Sequence, residues 1–208
     1  MVRSKKTSEM VKMALFIALI ILLSVTPLGY IPLGTVNATT IQMPIIIGAV
    51  LFGWKKGAVL GGVFGVTSLI KNTLQPNLTS FVFSPFIPVF GEESGSVWAM
   101  VICLVPRIMI GVAAAFVFSL LVKFKINKTF ASAAAGFCGS LANTVLVMAG
   151  IYLFFGESYS AAKDIAYSTL LTTVSATITG IGITEAIVSA VVCGALCTAL
   201  IKYSERKS

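Results

Sequence analysis

Histidine is absent from this 208-residue sequence, and only seven of its residues are acidic. The absence of histidine removes the commonest general base and the commonest metal ligand of proteins. Charged residues make up only 11% of the chain, whereas hydrophobic residues make up 57% and the mean hydropathy is +1.00. Soluble domains do not have such a composition, so the sequence is that of an integral membrane protein.

Further absences limit the function. The sequence has no G-x-x-x-x-G-K-[ST] pattern, so we expect no nucleotide site and no cofactor on this chain. The four cysteines lie in apolar segments, where small core residues are expected rather than a metal site. Without histidine or paired acids on one helix, we do not expect an enzyme. The net charge of +8 occurs in short clusters between apolar runs, which is typical of membrane loops and not of a nucleic-acid interface.

Six apolar runs predict an all-α membrane protein with six transmembrane helices in one domain, residues 1–208. Because about 20 apolar residues cross a bilayer, we place the spans at about 10–28, 38–53, 57–74, 98–122, 131–155 and 179–202. No small-residue cleavage motif follows the first run, so we expect a retained helix there and not a signal peptide. Glycines recur every fourth residue from Gly53 to Gly65 and predict a smooth ridge for close helix packing.

The distribution of positive charge predicts the orientation of these spans. With six spans, 12 of the 15 Lys and Arg residues fall at the two termini and in the connections 2–3 and 4–5. The positive-inside rule then places both termini in the cytoplasm. The outer connections are 1–2, 3–4 (about 75–97) and 5–6 (about 156–178), and they are rich in Pro, Gly, Ser, Thr and aromatic residues. Long structured loops on one face usually carry the binding function.

Three polar side chains at the depth of the predicted spans are candidates for a ligand pocket. Arg107 lies within span 4, Asn143 near the middle of span 5 and Glu185 near the outer end of span 6. Polar groups in a membrane face protein or water, so each needs a partner. Arg107 and Glu185 also fit an ion pair between helices, and Arg107 fits the backbone carbonyl that Pro106 leaves without a donor. For Asn143 the alternative is a hydrogen bond between helices.

Further candidates lie where the outer connections meet the helices. They are Asn37, Thr39 and Gln42 at the start of span 2, and Lys71 and Asn72 at the end of span 3. Asn37 also fits the role of a helix cap, and Lys71 fits either an anion or the membrane interface. In connection 3–4, four aromatic side chains predict a hydrophobic cover on the helix ends: Phe81, Phe83, Phe86 and Phe90.

Several long segments together resemble one known family. They are "MALFIALI", with Ala14 and Ala18 four residues apart, "IPLGTVNATTIQMPIIIGAVLFGWKKGAVLGGVFG", "PRIMIGVAAAFVF", "GSLANTVLVMAGIYLFFG" and "GITEAIVSAVV". The sequence resembles the substrate-binding S component of energy-coupling factor (ECF) vitamin transporters over nearly its whole length, and most resembles the pantothenate-type branch. The folate, riboflavin and cobalamin branches share parts of the pattern.

The resemblance implies a prokaryotic cell-membrane protein that binds a vitamin on the outer face. It implies three partner subunits, a membrane scaffold and two ATPases, so that ATP is used outside this chain. Ala14 and Ala18 would dock on the scaffold, or alternatively pack within the chain. Pantothenate carries one carboxylate, two hydroxyls and one amide, which Arg107, Asn143 and Glu185 suit. The alternatives are an S component for another vitamin and a stand-alone secondary transporter, although the halves show no convincing repeat.

Overall fold

The computed structural model describes the backbone of residues 5–33 and 36–205 and the side chains of 7–29 and 39–203. Its elements are α1 (Lys5–Val25), β1 (Tyr30–Leu33), β2 (Val36–Thr39), α2 (Gln42–Phe52), α3 (Trp54–Leu74), α4 (Val97–Lys123), α5 (Lys128–Ala162), α6 (Leu170–Thr177) and α7 (Ile183–Glu205). A π-helical segment, Ile178–Gly182, joins α6 to α7. The strands β1 and β2 form one antiparallel hairpin, with Tyr30 opposite Thr39. The prediction of a helical membrane fold is confirmed.

Five of the described helical segments are long and apolar enough to cross a membrane. They are Thr7–Val25, Trp54–Leu74, Val97–Lys123, Lys128–Ala162 and Tyr167–Tyr203. The remaining apolar helix, α2, has 11 residues and is about 16 Å long, roughly half of the 30 Å hydrocarbon core. The predicted span 38–53 therefore began too early, because residues 36–39 pair as a strand instead.

The short helix α2 lies at the centre of the bundle. Eight of its residues are buried, and it packs against every other long helix. A helix that is apolar all round is buried all round, and "MPIIIGAVLF" has that pattern. The main apolar core surrounds α2 and includes Ile45, Ile46, Leu60 and Ile110, each fully buried.

Helices α3 and α4 approach closely along the glycine ridge. A Cβ atom on Gly57 would lie 3.0 Å from the carbonyl oxygen of Gly111, and one on Gly61 would lie 2.2 Å from that of Arg107. A Cβ on Gly65 would lie 2.8 Å from the Leu104 side chain. Three of the four predicted ridge glycines therefore contact α4, whereas Gly53 forms the turn between α2 and α3 with φ +87°.

The predicted connection 156–178 is mostly helical, which corrects the sequence prediction. Helix α5 continues to Ala162 through a kink at Phe155, and α6 begins at Leu170. Hydroxyl groups in this stretch donate to carbonyl oxygens one turn back: Ser160 to Gly156 at 2.8 Å and Thr177 to Thr173 at 2.8 Å. The Ser and Thr side chains of this stretch thus bond within helices, whereas its composition alone indicated a loop.

The connection between α3 and α4 covers the N-terminal end of α4 and the C-terminal part of α5. Phe81 is buried and meets Phe155 edge to face at 5.9 Å between ring centroids. Phe83 packs against the same apolar cluster as Phe81. Phe86 and Phe90 are 69% and 47% exposed, so the predicted aromatic cover is formed by Phe81 and Phe83 and not by all four rings.

Candidate functional site

The antiparallel packing of α4 on α5 brings Arg107 and Asn143 to the same depth. A Cβ on Gly139 would lie 3.1 Å from the carbonyl oxygen of Ile110, and one on Gly150 would lie 2.8 Å from the Ile102 side chain. Residue numbers rise along one helix as they fall along the other. Arg107, which lies between Ile110 and Ile102, is therefore level with about residue 143 of α5.

The packing of α5 on α7 brings Glu185 to that depth as well. A Cβ on Gly182 would lie 2.9 Å from the side chain of Thr144, and one on Gly136 would lie 2.6 Å from the carbonyl oxygen of Ser189. Glu185 is therefore level with the turn of α5 that carries Ser140 and Asn143. The three candidates from spans 4, 5 and 6 thus share one level, on three helices of one bundle.

Gln42, the first residue of α2, forms hydrogen bonds to both α5 and α7 near the level of these three candidates. Its side chain is 1% exposed. The Nε2 group donates to the hydroxyl of Ser140 at 2.9 Å and to that of Ser189 at 3.1 Å. Its Oε1 atom is buried and has no hydrogen-bond partner among the described residues. A buried acceptor without a donor costs about 1–3 kcal/mol of folding free energy, so such atoms are uncommon in proteins. A bound ligand with a donor group would remove this cost.

Asn143 presents a second acceptor of the same kind. Its Oδ1 atom is buried and receives no hydrogen bond within the part of the chain that the structure describes. Asn143 follows Ser140 by three residues on α5, so the two side chains are neighbours on one helix face. The side chains of Gln42 and Asn143 are therefore both neighbours of Ser140, and neither carboxamide oxygen receives a hydrogen bond from a described residue.

Glu185 binds the hairpin. Its Oε1 atom accepts a hydrogen bond of 2.7 Å from the backbone N–H of Thr39, and the side chain is 7% exposed. Thr39 takes part through its backbone N–H. It is the last residue of β2 and lies before α2, not within a span that begins at residue 38. The described side chains contain no ion pair between Glu185 and Arg107. The structure therefore does not show the alternative bridge between helices α4 and α7.

Arg107 is held by its own helix and by aromatic rings. The Nη1 group donates to the carbonyl oxygen of Ile102 at 2.8 Å, and the side chain is 8% exposed. Pro106 lacks the N–H that would normally bind that carbonyl, so the arginine satisfies the group that the proline leaves open. The guanidinium carbon lies 4.8 Å from the centroid of Phe83 and 5.8 Å from that of Phe64. These contacts fix the position of a buried positive charge.

Of the other predicted site residues, Asn72 and Lys71 lie elsewhere in the fold. Asn72 donates to the carbonyl oxygen of Ser68 at 2.8 Å and accepts from the hydroxyl of Ser80 at 3.0 Å, so it anchors the connection that follows α3. Lys71 lines a groove between α1 and α3. The side chain of Asn37 lies outside the described residues, although its backbone pairs opposite Pro32.

Two contributors were not singled out from the sequence. Ser189 was not noticed, although its spacing of four residues from Glu185 puts both on one face of α7. Phe83 was assigned to a cover, whereas its ring also lies over the Arg107 guanidinium. The docking candidates Ala14 and Ala18 are both exposed on α1.

The sequence and the fold are similar to those of known proteins. Residues 8–197 match the family described as ECF transporter, substrate-specific component. The chain is 34% identical over 202 residues to the pantothenic acid transporter PanT of Lactococcus lactis subsp. cremoris, and the match covers 96% of this chain and 97% of that protein. It is 33% identical over 155 residues to the pantothenate transporter PanT of Leuconostoc mesenteroides subsp. mesenteroides, covering 70% of this chain and 68% of the relative.

A solved structure supports the same fold. The S component for biotin from an ECF-type ABC transporter, known from its crystal structure, superimposes with a TM-score of 0.55. It covers 94% of each chain at 19% sequence identity. The family is one of transporters and not of enzymes, and the apolar helices make the chain a multi-pass membrane protein of a prokaryote. The chain belongs to the substrate-specific component family of ECF transporters.

Proposed function

We propose that this chain is the pantothenate-binding subunit of an ECF-type importer. The curated relatives named above carry pantothenate in their names, and the Lactococcus protein matches over nearly the full length of both chains. The observation that carries the proposal is the pair of buried carboxamide oxygens, on Gln42 and Asn143, beside the level of Arg107. Neither oxygen has a donor among the residues that the structure describes. A ligand with several donors and one negative charge would complete such a site.

Pantothenate suits these groups one by one. Its two hydroxyls and its amide N–H are donors for the Oε1 atom of Gln42 and the Oδ1 atom of Asn143. Its carboxylate suits the guanidinium of Arg107, which carries five N–H donors and remains charged. Glu185 is a further acceptor for hydroxyls, beside its bond to Thr39. We assign binding roles to these residues, and we keep Asn37 as a candidate at the same end of the bundle.

The length of α2 supports a cavity at this place. Helix α2 spans only about half the thickness of the hydrocarbon core. The centre of the bundle beyond Gln42 is therefore not filled by this helix, and a ligand would fit there. The hairpin and the Phe81–Phe83 segment lie at this end and would close the cavity over the ligand. Polar groups at membrane depth are tolerated where they line such a protein-enclosed space.

We place both termini in the cytoplasm, so that six helices cross or enter the membrane and the pocket faces outward. The concentration of Lys and Arg at the opposite end of the bundle supports this orientation. The binding subunit would deliver its ligand through a membrane scaffold subunit and two ATPases. The exposed Ala14 and Ala18 on α1 are our candidates for the scaffold contact, because small residues let helices approach closely.

Uptake by reconstituted vesicles tests this function. Vesicles that contain the chain, a scaffold and two ATPases should accumulate labelled pantothenate only when ATP is present inside the compartment that holds the ATPases. The matched control is the chain alone with a proton gradient. Accumulation by the chain alone, abolished by a protonophore, would instead establish a secondary transporter. ATP-dependent accumulation of folate, riboflavin or cobalamin, and not pantothenate, would keep the class and overturn the substrate.

A further inference from the structure

The side chain of Gln42 is fixed by two serines that belong to two other helices. Its Nε2 group donates to the hydroxyl of Ser140 on α5 at 2.9 Å and to that of Ser189 on α7 at 3.1 Å. Both serines are fully buried, and Gln42 is flanked by Ile41 and Ile45, which are fully buried as well. Among the described residues, these two hydroxyls therefore determine how the carboxamide is oriented.

The two hydrogen bonds use every donor that Gln42 has. A glutamine carboxamide carries two N–H donors and one acceptor oxygen. The reverse orientation would turn the oxygen towards the serines and leave two buried N–H groups without an acceptor, instead of one oxygen without a donor. Because each unpaired buried polar group costs free energy, the observed orientation is the better one. Gln42 therefore has an acceptor, and no donor, to offer a ligand.

The close packing of α5 on α7 keeps the two hydroxyls in place. Gly136 lies one turn before Ser140, and a Cβ atom on Gly136 would lie 2.6 Å from the carbonyl oxygen of Ser189. The two helix backbones thus meet beside the serines, so backbone packing sets the spacing of the hydroxyls. A carboxamide bound to them through both N–H groups cannot rotate without breaking a hydrogen bond.

We infer that Ser140 and Ser189 are positioning residues that make the site selective for a hydrogen-bond donor at Gln42. The inference rests on the proposed function and specifies the chemistry of the ligand at one point. A ligand hydroxyl at this point donates to the Oε1 atom and supplies the bond that a buried acceptor lacks. A ligand that presents only an acceptor there leaves the Oε1 atom unpaired, and sites of this kind discriminate strongly against such analogues.

Two fluoro analogues of pantothenate test this selectivity. In each of them fluorine replaces one of the two hydroxyls, so that the shape is nearly kept and the donor is lost. Calorimetric titration of the purified full chain gives the preference, defined as the dissociation constant of the analogue divided by that of pantothenate. We expect a preference of at least about tenfold over one of the two analogues, the effect of leaving a buried acceptor unpaired.

Substitutions of the serines test the positioning role. The double variant Ser140→Ala, Ser189→Ala frees both N–H groups, so Gln42 can turn and the preference should fall to about twofold or less. Each single variant should lower the preference at least about threefold. In Gln42→Leu the preference should already be absent, and the added serine substitutions should change nothing further, because they act through Gln42. A purely structural role would weaken pantothenate and its analogues equally and leave the preference unchanged.

Ser132→Ala is the matched control. Ser132 is fully buried on α5, and its hydroxyl has no hydrogen-bond partner among the described residues. It lies about 12 Å along the helix from Ser140, so the variant removes a buried hydroxyl without touching Gln42. We expect it to keep the full preference. Elution as one monodisperse species establishes that each variant is folded, and the single variants decide the matter if the double variant does not elute in this way.

Three outcomes would overturn the inference. The first is equal affinity of the unmodified chain for pantothenate and both analogues. The second is tighter binding of an analogue than of pantothenate, which would mean that Gln42 presents its N–H groups to the ligand. The third is a preference that survives the serine substitutions in full. All three require that pantothenate binds, whereas no binding of pantothenate to the unmodified chain would contradict the proposed function and this inference with it.

Discussion

The backbone N–H of Thr39 donates a hydrogen bond of 2.7 Å to the carboxylate of Glu185. This bond joins the end of the β1–β2 hairpin to the first turn of α7, and the Glu185 side chain is buried with it. The hairpin lies at the N-terminal end of α2, next to the polar group that contains Gln42. Glu185 therefore couples the cover of the proposed pocket to one of its walls.

Glu185→Ala should release the hairpin. The substitution leaves the Thr39 N–H without its acceptor and removes a charged hydrogen bond worth about 1.5–3 kcal/mol. We expect faster amide hydrogen exchange in a peptide covering residues 36–41, measured by mass spectrometry. Glu185→Gln keeps an acceptor oxygen and should retain most of the protection. Glu157→Ala, at an exposed position of α5, is the control; equal protection in Glu185→Ala and in this control would refute the coupling.

Asn143→Ala should weaken ligand binding and leave the fold intact. No described residue donates to the Asn143 Oδ1 atom, so its removal loses no known internal hydrogen bond to that oxygen but loses the proposed one to the ligand. We expect pantothenate affinity to fall roughly 5–30-fold, or about 1–2 kcal/mol, in equilibrium binding.

Asn127→Ala is a matched control for this change. Asn127 caps α5 at its other end, where its Oδ1 atom accepts from the N–H of Thr129 at 2.9 Å. Loss of a cap costs about 1 kcal/mol of stability, and we expect no change in affinity. Asn143→Ala with unchanged affinity and reduced stability would show that Asn143 serves helix packing instead.

Arg107 should recognise the carboxylate of the ligand. The test compares pantothenate with the alcohol analogue in which a hydroxymethyl group replaces the carboxylate. The unmodified chain should prefer pantothenate, because a charge-assisted pair is about twice as strong as a neutral hydrogen bond. Arg107→Gln should bind the two compounds nearly equally. If the preference for pantothenate persisted in Arg107→Gln, another cation would have to bind the carboxylate.

Two neighbouring glycines should respond in opposite ways to alanine. A Cβ on Gly61 would lie 2.2 Å from the carbonyl oxygen of Arg107, whereas one on Gly62 meets nothing within 4 Å. Gly61→Ala should force α3 and α4 apart and cost about 1–3 kcal/mol, as overpacking does. Gly62→Ala should be neutral or stabilise the helix by up to about 1 kcal/mol. Thermal unfolding in detergent measures both, and similar midpoints for the two variants would contradict the close approach of α3 to α4.

The sequence predicts the helices well where apolar runs are long and unbroken. The starts and ends of α3 and α4 lie close to their predicted bounds because Gly53 and the Ser96 cap interrupt strong apolar patterns. The prediction from sequence fails between Gly156 and Ile178, because a composition rich in Ser and Thr is typical of a loop. In the structure these side chains instead bond to the backbone of their own helix. The prediction also misses the hairpin, whose strands have only four residues each.

The candidate site is only partly readable from the sequence. Arg107, Asn143 and Glu185 stand out because polar groups are costly at membrane depth. The sequence also predicts that Pro106 leaves one backbone carbonyl without a donor and that Arg107 fits it. In the structure Arg107 does donate to the carbonyl oxygen of Ile102. The partners of Gln42 do not follow from the sequence, because Ser140 and Ser189 lie about 100 and 150 residues away. Nor does the place of Lys71, which depends on how α1 packs against α3.

Calorimetric titration of the purified chain alone with a panel of water-soluble vitamins tests the vitamin-binding function most directly. We predict tight binding of pantothenate at one site, with no requirement for the ATPases or the scaffold. Tight binding of a different vitamin would contradict the assigned substrate. An absence of binding for every vitamin, from a monodisperse sample, would contradict the pocket formed by Gln42, Arg107, Asn143 and Glu185.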